Sequence, residues 1–174
     1  MAAEPLEEEM RLLSLVRHAK SSWDYEELSD FERPLNERGR RDAPAMAQRA
    51  RRLLGIPDRL VSSPALRAIT TAHLFADAFA LGREEIQLQP RIYEASPATL
   101  VQILNQLDDC DRHVMLFGHN PGFSQLAGLL APCPFDEVPT CAVVQVALEI
   151  EHWRDAGPGL GKLRQYLYPK DGSD

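Results

Sequence analysis

The side chains able to do chemistry in this sequence sit where short apolar runs stop. Residues 12–16, "LLSLV", lead directly into Arg17 and His18. "RLVSSPALR" carries a second run through Ser62, Ser63 and Pro64 to Arg67, and "HVMLFGHN" ends a third on Gly118, His119 and Asn120. A buried strand avoids a guanidinium or an imidazole unless its end opens into a site that uses them. Each signal has an ordinary reading when taken alone: Arg17-His18 as a chance exit from the core, Arg67 as a solvated helix arginine, His119 as a turn residue. That reading strains when three distant segments all end this way.

Two arginines and two histidines gathered in one place suit phosphoryl transfer. Arginine forks bind phosphate oxygens bidentately and keep their charge at physiological pH. An imidazole can attack phosphorus in line and form a covalent phosphohistidine, splitting one hard step into two. Fixed cations, with a protonated second histidine among them, then stabilise the charge that spreads over the equatorial oxygens. The sequence carries no metal-ligand motif, and neither a metal nor another cofactor is expected.

The elements that must position these groups alternate between strand and helix. Residues 1–10 read as an acidic tail, and residues 11–174 as a single domain. "SSWDYEELSDFERPLN" has no period and reads as a long loop. Asn36 can cap a helix from Glu37 to about Leu54, ended by Gly55 and Pro57, with Pro44 predicting a kink or a late start. "ALRAITTAHLFADAFAL" has helical spacing up to Gly82, while "IQLQPRIYEA" is extended, with Pro90 implying an edge or loop. "SPATLVQILNQL" and "NPGFSQLAGLLA" read as helices, and "AVVQVALEI" and "GKLRQYLYP" as strands. Alternation of this kind predicts an α/β sheet with helices on both faces. In such sheets ligands bind beyond the carboxyl ends of the strands, where the three candidate groups arrive.

Composition sets outer bounds. The chain has 174 residues, 44% of them hydrophobic and 26% charged, which is typical of a globular domain. A formal net charge of −7 argues against a dedicated nucleic-acid binder. The arginines between Arg33 and Arg52 are expected to be a solvated basic helix face. Cys110, Cys133 and Cys141 match no zinc spacing and are expected to be reduced thiols. His73 is expected to be packed or at the surface, and His113 and His152 to have no role. No apolar run reaches membrane-span length, and the N-terminus lacks the pattern of a secretory signal, so a cytoplasmic location with no membrane partner is expected.

"LVRHAKSSW", "ERPLNERGRRDA", "SSPALRAITTA", "IYEA" and "GHNPG" together resemble the histidine phosphatase superfamily, in that family's order and at compatible spacings. Within it, "RHAKSSW" with "GHNPG" resembles the SixA-type phosphohistidine phosphatases. The resemblance implies a phosphoglycerate-mutase-like fold: a three-layer α/β/α sandwich on a mostly parallel sheet with an antiparallel C-terminal edge. It also implies His18 as nucleophile, with Arg17, Arg67 and His119 completing a phosphate pocket and Ser21 and Asn36 nearby as substrate-binding residues. Glu94 stands where other branches place a proton-donating acid.

Departures from the wider family bear on the substrate. Ala19 replaces a glycine of the general Arg-His-Gly signature, Lys20 stands where mutases often carry an acid, and Asp24 where they carry an asparagine. An aspartate there would repel a phosphorylated carboxylic acid, which disfavours mutase activity. The chain also lacks the long insertions that enclose small substrates in mutases and acid phosphatases. The expected partner is therefore a phosphorylated protein, with phosphohistidine hydrolysis as the leading reading. A phosphomonoesterase acting on a small phosphorylated substrate through Glu94 is the alternative, and a non-catalytic phosphate-binding module the third.

Overall fold

The computed structural model describes residues 10–169, so apart from Met10 the expected acidic tail lies outside the described residues. Six strands form one sheet: β1 (Arg11–Arg17), β2 (Arg59–Ser62), β3 (Gln87–Leu88), β4 (His113–Gly118), β5 (Val143–Leu148) and β6 (Gly161–Leu167). Their spatial order is β3-β2-β4-β1-β5-β6. β1 runs parallel to β4, and β2 parallel to both β4 and β3, whereas β5 is antiparallel to β1 and β6 to β5. This is the mostly parallel sheet with an antiparallel C-terminal edge that the sequence implies.

Four helices complete the layers: α1 (Glu37–Leu54), α2 (Leu66–Ala78), α3 (Pro97–Asn105) and α4 (Gly122–Leu130). Successive residues of a strand face opposite sides, and β4 shows what that does. Val114 and Leu116 join the core under α3 and α4, while Met115 and Phe117 join the core under α1 and α2. Strand β4 is buried on both faces, so its sequence is continuously apolar rather than alternating.

Local chemistry sets the helix ends. The Asn36 side chain accepts a hydrogen bond from the Gly39 N–H at 2.8 Å, the cap that the sequence predicts for α1. Gly39 itself is obligatory, because a Cβ there would collide with the Lys20 carbonyl. Helix α1 nonetheless runs unbroken through Pro44. Pro44 lies on the exposed face, where the carbonyl it leaves unbonded can meet water, while Ala43, Met46 and Ala47 anchor the helix on either side of it. Helix α2 ends at Ala78, short of the predicted Leu81, because Ala80 turns left-handed (φ 57°) and the Leu81 N–H returns to the Ala76 carbonyl.

The arginine cluster is not one solvated face. Arg33 precedes α1 and is buried against the preceding loop, and Arg49 is buried with Nη1 donating to the Tyr168 carbonyl at 3.1 Å. Arg40, Arg41, Arg51 and Arg52 are exposed as expected. Among the described residues no helix is long and apolar enough to cross a membrane.

Candidate active site

The register of the sheet brings the three strand ends together. Val16 of β1 and Ser62 of β2 both pair with Phe117 of β4. Just beyond them, the His18 N–H donates to the Gly118 carbonyl at 3.0 Å and the Ser63 N–H to the Phe117 carbonyl at 2.9 Å. His18, Ser63 and His119 therefore leave the sheet side by side. Gly118 lets β4 end this close to its neighbours, since a Cβ there would lie 2.5 Å from the Phe123 ring.

His18 is 7% exposed, and its Nδ1 lies 2.7 Å from the Ala19 carbonyl oxygen. A carbonyl only accepts, so Nδ1 carries the proton and Nε2 keeps its lone pair. The Ala19 N–H donates to Thr71 Oγ1, whose hydroxyl donates to the Arg67 carbonyl, which ties this turn to α2. Burial pushes the His18 pKa down to about 3; the Ala19 bond opposes this, and His119, Arg67 and Arg17 add to it. His18 is thus a neutral imidazole at physiological pH.

The His119 ring centroid lies 5.4 Å from that of His18. Its Nε2 is 2.8 Å from Ser63 Oγ, and its Nδ1 is buried without a hydrogen-bond partner. Burial, with Arg67 adding to it, pushes its pKa down to about 4. Two nearby guanidinium groups and little solvent keep His119 neutral in the free protein, so the protonated second histidine expected from the sequence requires the charge of a bound phosphate. A bound phosphate dianion would reverse that balance.

The two arginines differ in how they are held. Arg17 Nη1 donates to the Val138 carbonyl at 2.8 Å and lies 4.0 Å from the exposed Glu137, while its Nε is buried and unpartnered. Arg67 is fixed by Asp30, donating from Nη1 to its carbonyl at 2.6 Å and from Nη2 to Oδ2 at 3.0 Å. Tyr93 Oη donates to the same Oδ2 at 2.6 Å, and Arg33 Nη1 to Oδ1 at 3.0 Å. Partial burial would raise the Asp30 pKa, but the bonds from Tyr93, Arg33 and Arg67 outweigh it and hold the carboxyl down to about 2. Tyr93, bonded to that carboxylate, is pushed up to about 12. Asp30 is ionised and Tyr93 protonated.

The other expected residues divide. Glu94 is exposed and lines a cleft of about 560 Å³ together with Asp30, Arg67, Tyr93, His119 and Asn120. Ser21 and Asn36 support the scaffold: the Ser21 hydroxyl accepts from Arg33 Nη2 at 2.5 Å, and Asn36 caps α1. Sequence reasoning passed over Asp30, Tyr93 and Thr71, named Ser63 without a role and placed Arg33 on a solvated helix face. A second cavity of about 510 Å³, lined by Leu12, Arg112, His113 and Arg164, lies at the other end of the parallel strands and shares none of these groups. Among the described residues no group of three or more His, Cys, Asp or Glu side chains is placed to hold a metal ion.

A family model described as histidine phosphatase superfamily (branch 1) matches residues 13–106, which carry most of the first strand, Arg17, His18, Arg67 and Glu94. The chain belongs to this superfamily. An uncharacterized protein of Mycobacterium tuberculosis is 33% identical over 168 residues, covering 89% of this chain and all of its own length. Among solved structures, the protein histidine phosphatase SixA complexed with tungstate superposes with a TM-score of 0.76 at 22% identity, covering 91% of this chain and 97% of its own. A candidate phosphohistidine phosphatase SixA from Agrobacterium tumefaciens gives 0.74 at 25%, covering 91% and 98%. A mycobacterial glucosyl-3-phosphoglycerate phosphatase gives 0.61 at 17%, covering 89% and 96%. The fold of this superfamily member is thus shared by proteins named for a protein substrate and for a small phosphorylated metabolite.

Proposed function

We propose that this protein is a phosphatase that takes a phosphoryl group onto His18 Nε2 and passes it to water, with protein phosphohistidine as its substrate. The observation that carries the reading is the state of His18: buried, neutral, its Nδ1 fixed as donor to Ala19, with Arg67 and Arg17 close enough to depress its pKa. Nε2 attacks phosphorus, the new N–P bond forms, and the bond to the leaving group breaks. The leaving group takes a proton and departs, and water then attacks phospho-His18 to release inorganic phosphate and restore the imidazole. The unpartnered Arg17 Nε is a donor suited to phosphoryl oxygens, and His119 Nδ1 is another when the Ser63 hydroxyl donates to Nε2 or when the ring is protonated. A module that only bound phosphate would need the cations and not a neutral nucleophile among them.

Phosphohistidine is favoured as substrate by its leaving group. An imidazole is readily protonated and leaves easily, whereas an alkoxide needs a positioned acid. SixA, named as a protein histidine phosphatase, is a structural neighbour. The second reading, a small phosphomonoester hydrolysed with Glu94 as acid, is supported by the position of Glu94 in the cleft and by the glucosyl-3-phosphoglycerate phosphatase neighbour. Rapid quench with labelled phosphohistidine should trap acid-labile, base-stable phosphate on the wild-type protein and none on His18→Ala. Comparable turnover by His18→Ala overturns the mechanism.

A further inference from the structure

We infer that the loop over residues 23–32 and the groove beside it form a docking surface for the phosphorylated protein, taking a segment with an apolar side chain flanked by lysines or arginines. The inference rests on the protein-substrate reading above. The loop exposes large rings: Trp23 is 73% exposed, Tyr25 50% and Phe31 39%. Beside them Leu28, Phe31, Pro34, Pro64 and Leu66 line an apolar groove of about 430 Å³. The groove continues into the catalytic cleft, because the Phe31 ring meets the Tyr93 ring edge-on at 5.2 Å and Tyr93 lines that cleft. A partner segment lying in this groove is therefore led to the cleft where its phosphorylated residue would meet His119 and Arg67.

Charge selects the partner. Residues 23–32 carry five carboxylates and no lysine or arginine. Asp30 is held by Arg33, Arg67 and Tyr93, and Glu32 accepts from the Ser29 hydroxyl at 2.7 Å. Asp24, Glu26 and Glu27 are exposed and form no ion pair among the described residues. Glu32 lines the groove, and the exposed Glu26 and Glu27 lead directly into Leu28 at its edge; carboxylates so placed complement a partner with a basic rim and repel nucleic acid or anionic lipid. A second copy of this chain, with a net charge of −7, is a poor match as well.

Three synthetic phosphohistidine peptides test this. One carries a leucine between two pairs of lysines, the second glutamates in place of the lysines, and the third serine in place of the leucine. The lysine–leucine peptide should show kcat/KM on the order of tenfold above either control, mainly through KM, and the advantage should shrink as salt rises. Glu26→Lys with Glu27→Lys should abolish the preference for lysine while leaving turnover of free phosphohistidine within about twofold. Equal turnover of all three peptides by the wild type overturns the docking surface, as does an unchanged preference in the double variant. Fluorescence of Trp23, titrated with the unphosphorylated peptides, reads the same ranking without catalysis. A loss of all turnover would thus sink the phosphatase reading separately from the docking surface.

Discussion

A histidine attacks phosphorus only from a nitrogen that holds a lone pair, and at His18 a backbone carbonyl selects that nitrogen. The 2.7 Å bond from Nδ1 to Ala19 fixes the tautomer, and burial fixes the charge state. At this scale the arginines can be tested directly. Arg67→Ala should lower kcat/KM on phosphohistidine by about 10² or more, because a fork that tightens on the equatorial oxygens is lost. Arg67→Lys should recover only part of it, since an ammonium cannot replace the two-pronged contact; full activity would show that bidentate binding is irrelevant. Glu94 separates the two substrate readings. Glu94→Gln should barely change turnover of phosphohistidine, yet cost about 10²–10⁴ on an alkyl phosphate, where the leaving oxygen needs an acid. Equal, large losses on both would instead make Glu94 part of a step common to both substrates.

Between the residue and the sheet stands the loop from Ala19 to Asn36, and Asp30 pins it. That single carboxylate accepts from Arg67 on α2, from Tyr93 after β3 and from Arg33 at the loop's own end. Removing its charge has two consequences. The Arg67 guanidinium loses a competing anion, so inorganic phosphate should inhibit Asp30→Asn more tightly, by on the order of tenfold. The fork also loses its fixed direction, so kcat should fall. Weaker phosphate inhibition in Asp30→Asn would mean that orientation outweighs competition. This loop is also where reading the sequence stopped short. The strand ends are legible because an apolar run that halts at Arg17, Ser62 or Gly118 leaves a sharp boundary. Asp30 and Arg33 lie in a stretch with no period, and their partnership with Arg67 exists only once the loop folds back over α2. Pro44 misled in the opposite direction: its local preference predicts a break, and packing on the buried face of α1 overrides it.

At the scale of the molecule, the groups that make the site also set its response to acid. His18 and His119 are buried and neutral, with pKa values pushed down to about 3 and about 4. His113 on β4, 2.7 Å from Ser14 Oγ, is likewise pushed down to about 4 by burial. An exposed histidine in the unfolded chain titrates near 6.5. Below that pH the unfolded state binds protons that the folded state refuses, so unfolding gains free energy as the pH falls. The stability these groups contribute is complete above pH 6.5 and is lost as the pH drops toward about 4 for His113 and His119 and about 3 for His18, at roughly 1.4 kcal/mol per pH unit for each. Asp30 acts with the same sign in a separate window, from the ordinary aspartate value of 3.8 down to about 2. The urea midpoint should therefore fall steadily between pH 7 and 5. His113→Gln should flatten that slope by about a third without touching turnover, because its ring packs with Ser14 and Gln145 and not with the phosphate donors. A midpoint independent of pH across this range, in a protein whose His18 still turns over, would mean that these imidazoles accept protons in the folded state. The exclusion of protons by burial inferred for His18 would then have to be abandoned as well.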